Sequence, residues 1–256
     1  MTDAEAGFPE LSVVIPMHNS ALVVQQTVAS WVSRLQSGVT ELILVENGSR
    51  DETWDLAQRV AIDNDHVRFT LLQSAKGMGN ALRAGIAAST GKRILLSADD
   101  LPFGFDDLDE AAKFTVMPPV VIGSKAHPGS VVERGIARDI FTFGYRWLRF
   151  MILGSRVGDT QGTILADGDW LRSVGPSLSE GGFLFTTQLV VFAEARGLQI
   201  VEVPVTLVSS TTPKPSTVRL SDVVEMGNGL LRLRRSVRAH RNADAPGAPA
   251  PAGVGL

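Results

Sequence analysis

Four short apolar runs, at residues 11–16, 41–45, 67–72 and 93–97, alternate with helix-like stretches at 21–37, 52–60 and 79–89. No other feature of the chain constrains its fold as strongly. Each run is apolar throughout rather than at every second residue, which predicts strands covered on both faces. Strand and helix in repeated alternation predict an α/β fold: a mostly parallel sheet with helices on both faces, in a single domain. Ligands of such sheets gather beyond the carboxyl ends of the strands. Asn19, Glu46 and Asp99 all fall there. The second half is less regular. It predicts a strand at 120–123, helices at 136–153 and 183–196, and a late strand at 199–208. Pro204 interrupts that last strand, which suits an edge or a strand end. The expected organisation is a flexible start over 1–9, the α/β domain over 10–210, a basic amphipathic segment over 211–242, and a disordered tail of Ala, Pro and Gly over 243–256.

Several function classes drop out on composition. A formal net charge of −3 argues against a general nucleic-acid binder. With no cysteine there can be no disulfide, thiolate nucleophile or cysteine-bound zinc. His18, His66, His127 and His240 are too scattered to suggest a histidine metal site. The first residues lack a basic-then-apolar leader pattern. No apolar run approaches the roughly 20 residues of a membrane span. A cytoplasmic protein is expected.

Three short stretches carry chemistry. Glu46, Asn47 and Gly48 follow a buried strand, where a carboxylate and an amide could read a base or a ribose. Equally, the same stretch reads as a capped turn, with Ser49 or Asp51 starting the next helix. Lys76, Gly77 and Gly79 open a helix, and glycines, a helix start and a lysine together favour an anion. Asp99 and Asp100 adjoin at a buried strand's end and repel each other unless a cation is near. A divalent ion bridging a diphosphate would answer, and oxygen ligands suit Mg²⁺ or Mn²⁺. The alternative is a solvated loop running into an acidic helix start at Asp106, Asp107 and Asp109.

In this order the pieces resemble the glycosyltransferase family 2 enzymes of GT-A fold. The match runs through residues 14–19, 44–51 and 76–85, then Asp99 and Asp100. Residues 123–134, Asp159 to Gly162 and 201–205 are similar to the branch that charges polyprenyl phosphates with glucose or mannose. The resemblance implies transfer of a hexose from a UDP- or GDP-sugar to a polyprenyl-phosphate-type acceptor, with inversion. It implies donor contacts from Pro16, Asn19, Glu46, Asn47, Asp51, Lys76, Gly77, Asp99 and Asp100. It further implies catalytic roles for Asp100, Asp159 and Gln161, acceptor-side roles for His127 and Arg134, and Mg²⁺ or Mn²⁺ on Asp99 and Asp100. Two alternatives stay open: the same donor chemistry on a small soluble acceptor in natural-product assembly, and a nucleotide-sugar-binding homologue with little turnover.

The chain departs from the family pattern at charged positions. Ser20 stands where an acidic residue is common, and Asn47 where Asp is. The Asp-x-Asp metal motif lacks one Asp in either register, Ser97 to Asp99 or Ala98 to Asp100. Phe-Asp-x-Glu reads Phe185, Thr186, Thr187, Gln188, and the basic residue expected after Gln161 is missing at Thr163 and Ile164. Weak metal dependence, or an acceptor other than a simple polyprenyl phosphate, is expected from these losses.

On a helical wheel of 136–153, Arg138, Asp139, Thr142, Arg146 and Arg149 share about 100° of arc, and the rest is apolar or small. With Arg134 and the basic run 230–238, this helix could lie peripherally at the inner membrane face, arginines toward lipid phosphates. It could equally be a buried helix or a homodimer contact.

Overall fold

The structure, a computed structural model, describes residues 11–35, 40–62, 67–132, 136–207 and 227–237, with residues 40 and 136–143 described in backbone only. Alternation within each strand builds two cores. In β1 (Leu11–Met17), Leu11, Val13, Ile15 and Met17 enter one core and Val14 the other. In β2 (Thr40–Glu46), Leu42 and Leu44 join the first, Ile43 and Val45 the second. Both faces are dry, which is why the runs are apolar throughout. Helices α1 (Val24–Arg34), α2 (Thr53–Ile62) and α4 (Asp106–Ala111) cover the first face. Helices α3 (Met78–Ala88), α6 (Gly168–Val174) and α7 (Leu184–Ala195) cover the second. Helix α5 (Ile136–Leu153) docks on α7 through Tyr145 and Thr187.

The remaining strands are β3 (Arg68–Gln73), β4 (Arg93–Leu96), β5 (Val120–Ser124), β6 (Thr163–Asp167) and β7 (Ile200–Pro204). They form one seven-stranded sheet in the order β3-β2-β1-β4-β6-β5-β7. The pairs β1–β2, β2–β3, β1–β4 and β5–β7 are parallel; β6 runs antiparallel between β4 and β5. The expected mostly parallel sheet is thus present with one reversed strand. Pro204 ends β7, the edge strand, as its missing N–H requires. Gly162 lets β6 begin tight on β5, since a Cβ there would lie 1.9 Å from the Gly123 carbonyl oxygen.

The reversed strand has a consequence for function. Two successive antiparallel pairings leave β5 pointing the same way as β4. The carboxyl ends of β1 to β5 and β7, and the loop entering β6, therefore share one edge of the sheet.

The expected flexible start 1–9, the tail 243–256, most of the segment 211–242 and Arg134 lie outside the described residues. Within that segment, residues 227–237 are helical, burying Leu230 and Leu233.

Candidate active site at the carboxyl edge of the sheet

The loops after β1, β2 and β3 are tied together by side chains. Asn47 is only 4% exposed, and its amide donates to the Met17 carbonyl (2.8 Å) while its Oδ1 accepts from Gly77 N–H (3.2 Å). One residue thus clasps the ends of β1, β2 and β3. Asn19 takes φ 54°, a left-handed conformation that asparagine tolerates. Its N–H donates to Ser49 Oγ (3.0 Å), and its Oδ1 accepts from Arg50 N–H (2.9 Å). Buried Glu46 accepts from Ser49 N–H and from Gln73 Nε2 (3.3 Å). Asp51 accepts from Thr53 N–H (3.2 Å) at the start of α2 and from Ala21 N–H (3.1 Å). Against its desolvation, the Thr53 hydroxyl (2.5 Å) and these N–H groups hold its carboxyl below the usual range. The capped-turn reading of this stretch is therefore correct, whatever else Glu46 and Asp51 do. Pro16 is buried inside β1, opposite Val45.

The Gly-rich turn departs from expectation. Gly77 N–H goes to Asn47, and Gly79 and Asn80 N–H go to the Gly181 carbonyl (2.9 and 3.2 Å). A Cβ on Gly77 would lie 2.3 Å from that same oxygen. These glycines make room for the 180–181 segment of the chain, and these N–H groups are not an open anion cradle. What the turn offers a ligand is the exposed Lys76 side chain.

After β4, Asp99 is half-buried and Asp100 exposed. Asp99 Oδ2 accepts the Ser20 hydroxyl, and its backbone carbonyl accepts Thr27 Oγ1 (2.5 Å). Among the described residues no three Asp, Glu or His side chains converge. The pair does not make a cation site complete in protein. It fits a cation shared with a diphosphate, since Mg²⁺ is commonly held by one or two carboxylates plus substrate phosphates.

The other half of the edge belongs to β6, β5 and β7. Buried Asp159 accepts from Lys125 N–H (3.1 Å) and from Gln161 N–H (2.9 Å), and pairs with Lys125 Nζ (2.9 Å). Lys125 Nζ also reaches the exposed Gln161's carbonyl (3.2 Å) and lies 5.1 Å from the Phe103 ring centroid. Glu202 on β7 accepts from Gly158 N–H (2.7 Å), Asp159 N–H (2.9 Å) and the Ser124 hydroxyl (2.5 Å). His127 Nδ1 accepts from Gly129 N–H (3.1 Å), shaping the turn after β5. Asp159, Gln161 and His127 are among the residues expected here from the sequence, and Lys125 is not. Its place directly after β5, like Asn47 after β2, was the available signal.

Helix α5 corrects one expectation. Arg149, assigned to the lipid-facing arc with Arg146, is 2% exposed and turned inward. Trp147, Phe150 and Met151 face outward instead, at 57%, 48% and 59% exposure, with Arg146 beside them. That half of the helix is not buried on two sides. The side chains of Arg138, Asp139 and Thr142 lie outside the described residues.

The sheet edge thus carries Lys76, Glu46, Asn19 and Asp99 on one half and Asp159 with Lys125 on the other. Glycosyltransferase AglD of Haloferax volcanii is 27% identical over 236 residues, 90% of this chain and 38% of that protein. The dolichyl-phosphate beta-glucosyltransferase of Saccharomyces cerevisiae is 26% identical, with 76% of this chain and 66% of that protein covered. The human enzyme of the same name is 27% identical, at 88% and 75%. The chain thus spans 38% to 75% of the length of these relatives. Among solved structures, glucosyl-3-phosphoglycerate synthase from Mycobacterium tuberculosis with Mn²⁺, UDP-glucose and phosphoglyceric acid superposes with a TM-score of 0.61. At 18% identity over 90% of this chain and 80% of that one, it shares the fold. No described helix is long and apolar enough to cross a membrane. The profile of glycosyl transferase family 2 matches residues 12–176, from β1 to the end of α6, and to that family the chain belongs.

Proposed function

We propose that this chain transfers a hexose, glucose by the names of its relatives, from a nucleoside-diphosphate sugar to the phosphate of a polyprenyl-type lipid, with inversion. One observation carries the reading. A single sheet edge presents, in strand order, the cation Lys76, the clasped Glu46–Asn47 turn, the Asp99–Asp100 pair, and then Asp159 holding Lys125. The first group suits an activated sugar and the second a phosphate-bearing acceptor.

In the reaction an acceptor phosphate oxygen attacks the anomeric carbon from the face opposite the diphosphate. The new carbon–oxygen bond forms as the old one breaks, and the leaving nucleoside diphosphate keeps the electron pair. The phosphate is already an anion, so no strong general base is needed. Lys76 lies on the donor half to meet negative charge developing on the diphosphate. Lys125, fixed by Asp159 and the Gln161 carbonyl, orients the incoming phosphate. Asp99 and Asp100 would hold Mg²⁺ or Mn²⁺ against the diphosphate, where the ion supplies positive charge. His127, in the turn after β5, borders the acceptor. Exposed Trp147, Phe150 and Met151, with Arg146 and Arg156 also exposed, suit the surface of an anionic membrane, from which a lipid acceptor would be drawn.

Calorimetry with UDP-glucose and GDP-mannose, with Mn²⁺ and with EDTA, tests the donor half. UDP-glucose should bind, Mn²⁺ should bind measurably only with nucleotide present, and Lys76→Ala should weaken binding about tenfold. Transfer to a short-chain polyprenyl phosphate, run beside phosphoglyceric acid, tests the acceptor. Donor binding with transfer to phosphoglyceric acid alone would replace the lipid reading by a soluble-acceptor one. No donor binding at all would end both.

A further inference from the structure

Arg149 is a cation in an expensive place. It lies one helical turn after Tyr145 on the inward face of α5 and is 2% exposed. Among the described residues no carboxylate forms an ion pair with it. Its Nε is buried without a hydrogen-bond acceptor among the described residues. Burial lowers its pKa, offset in part by Tyr145, Glu194 and Asp159, but a guanidinium stays charged. An apolar side chain would fill such a position at less free-energy cost. The reason for an arginine must lie in what its fork holds.

It holds a loop. One Nη donates to Thr160 Oγ1 (2.9 Å) and the other to the Val157 carbonyl. Thr160 Oγ1 also meets Thr187 Oγ1 (2.9 Å), which meets the Tyr145 hydroxyl (2.9 Å). From the sheet side, Glu202 takes Gly158 and Asp159 N–H. Loop 157–161 is therefore pinned from two directions at consecutive residues. The same loop carries the Asp159 carboxylate that sets Lys125.

We propose that Arg149 is the positioning residue of the acceptor side: planted in α5, its guanidinium locks loop 157–161 and so fixes where Asp159 and Lys125 meet the acceptor phosphate. The proposal rests on the reading that the acceptor enters beside this loop. Thr186 and Gln188 stand where the family carries acids, and the basic residue after Gln161 is missing.

The test compares the full chain with Arg149→Met, Arg149→Lys and Thr160→Val by amide hydrogen exchange, UDP-glucose calorimetry, and transfer to a short-chain polyprenyl phosphate. Arg149→Met and Thr160→Val should speed exchange at 158–161 by about tenfold or more, with the amides of α3 unchanged. The kcat of transfer should fall by about tenfold to a hundredfold, with UDP-glucose affinity within about twofold of wild type. Arg149→Lys, whose ammonium can reach one of the two acceptors, should recover part of the loss. Unchanged exchange at 158–161 in the folded variants overturns the proposal, and so does faster exchange spread evenly over the sheet. Thr160→Val decides if Arg149→Met does not fold. If wild type transfers to no acceptor, the functional reading fails by itself, and the exchange comparison still decides whether Arg149 pins the loop.

Discussion

Replacing Glu41 by glutamine should weaken the fold at the amino-terminal edge of the sheet and leave donor binding intact. Glu41 lies on β2 opposite Ser12 of β1, far along the strand from Glu46, and its side chain is 3% exposed. Its Oε1 accepts the Ser12 hydroxyl (2.5 Å), Thr90 N–H (2.6 Å) and Thr90 Oγ1 (3.1 Å), and its Oε2 pairs with Arg68 (2.8 Å). Glutamine can keep the Oε1 contacts, but they lose charge assistance, worth about 1 kcal/mol in total. It would also turn an NH₂ toward the Arg68 guanidinium. That side chain is 63% exposed and can swing away, so the lost ion pair adds roughly 0.5 kcal/mol and the donor facing donors about as much again. The sum is about 2 kcal/mol, or a melting-temperature loss on the order of 4–8 °C for a domain of this size. Arg68→Ala should lose only about 1–2 °C. Burial acts to raise the carboxyl's pKa, but Ser12, Thr90 and Arg68 outweigh it and hold the value below the ordinary 4.5. A depressed carboxylate stabilises fully above its unfolded pKa and loses that contribution as pH falls through the folded one. The gap between wild type and Glu41→Gln should therefore be constant from pH 7 down to about 4.5 and close below it. Thermal melts by circular dichroism across pH read this directly. A gap that widens in acid, or an Arg68→Ala loss equal to that of Glu41→Gln, would refute the assignment of stability to the buried hydrogen bonds.

Two further outcomes follow from other sites. Burial raises the pKa of Asp107, 7% exposed on α4, against the pull of Leu108 N–H (2.8 Å). A raised carboxyl contributes most below its unfolded pKa and loses that contribution as pH climbs through the folded value. Asp107→Asn should thus melt on the order of 3 °C higher than wild type at pH 7 and equal to it near pH 3, by the same melts. Gly77→Ala should cost about 2–3 kcal/mol, because φ is +124° and the new Cβ meets the Gly181 oxygen at 2.3 Å. The melt should fall together with UDP-glucose affinity, since Lys76 is the adjacent residue; a variant that keeps both shows that the 180–181 contact is dispensable.

The parts of this fold legible in the sequence were those whose cause is local. Strands β1, β2 and β4 are buried on both faces and read as apolar runs between turn residues; these and the half-buried edge strand β3 lie within about two residues of the expected bounds. Strand β6 escaped because Thr163–Asp167 has a polar residue at each end and a glycine on each flank, like a loop. Its reversed direction is imposed by β4 and β5, which the sequence places far away. The site divides in the same way. Residues at strand ends were recognisable as candidates because the topology of an α/β sheet delivers them to one edge whatever their detailed contacts. Which atoms were already engaged was not recognisable. The Asn47 amide is turned to Met17 and Gly77, and the N–H groups of Gly79 and Asn80 are taken by Gly181, a residue about a hundred positions downstream. A helical wheel groups Arg149 with Arg146 because it counts angles along one helix. Whether that arc faces water or the core depends on Thr160 and Thr187, which come from other elements. Each inversion therefore arises where a polar group is satisfied by a partner distant in sequence. The same dependence makes these groups informative about function, because a buried hydrogen bond made over long range fixes a loop that local propensity leaves free.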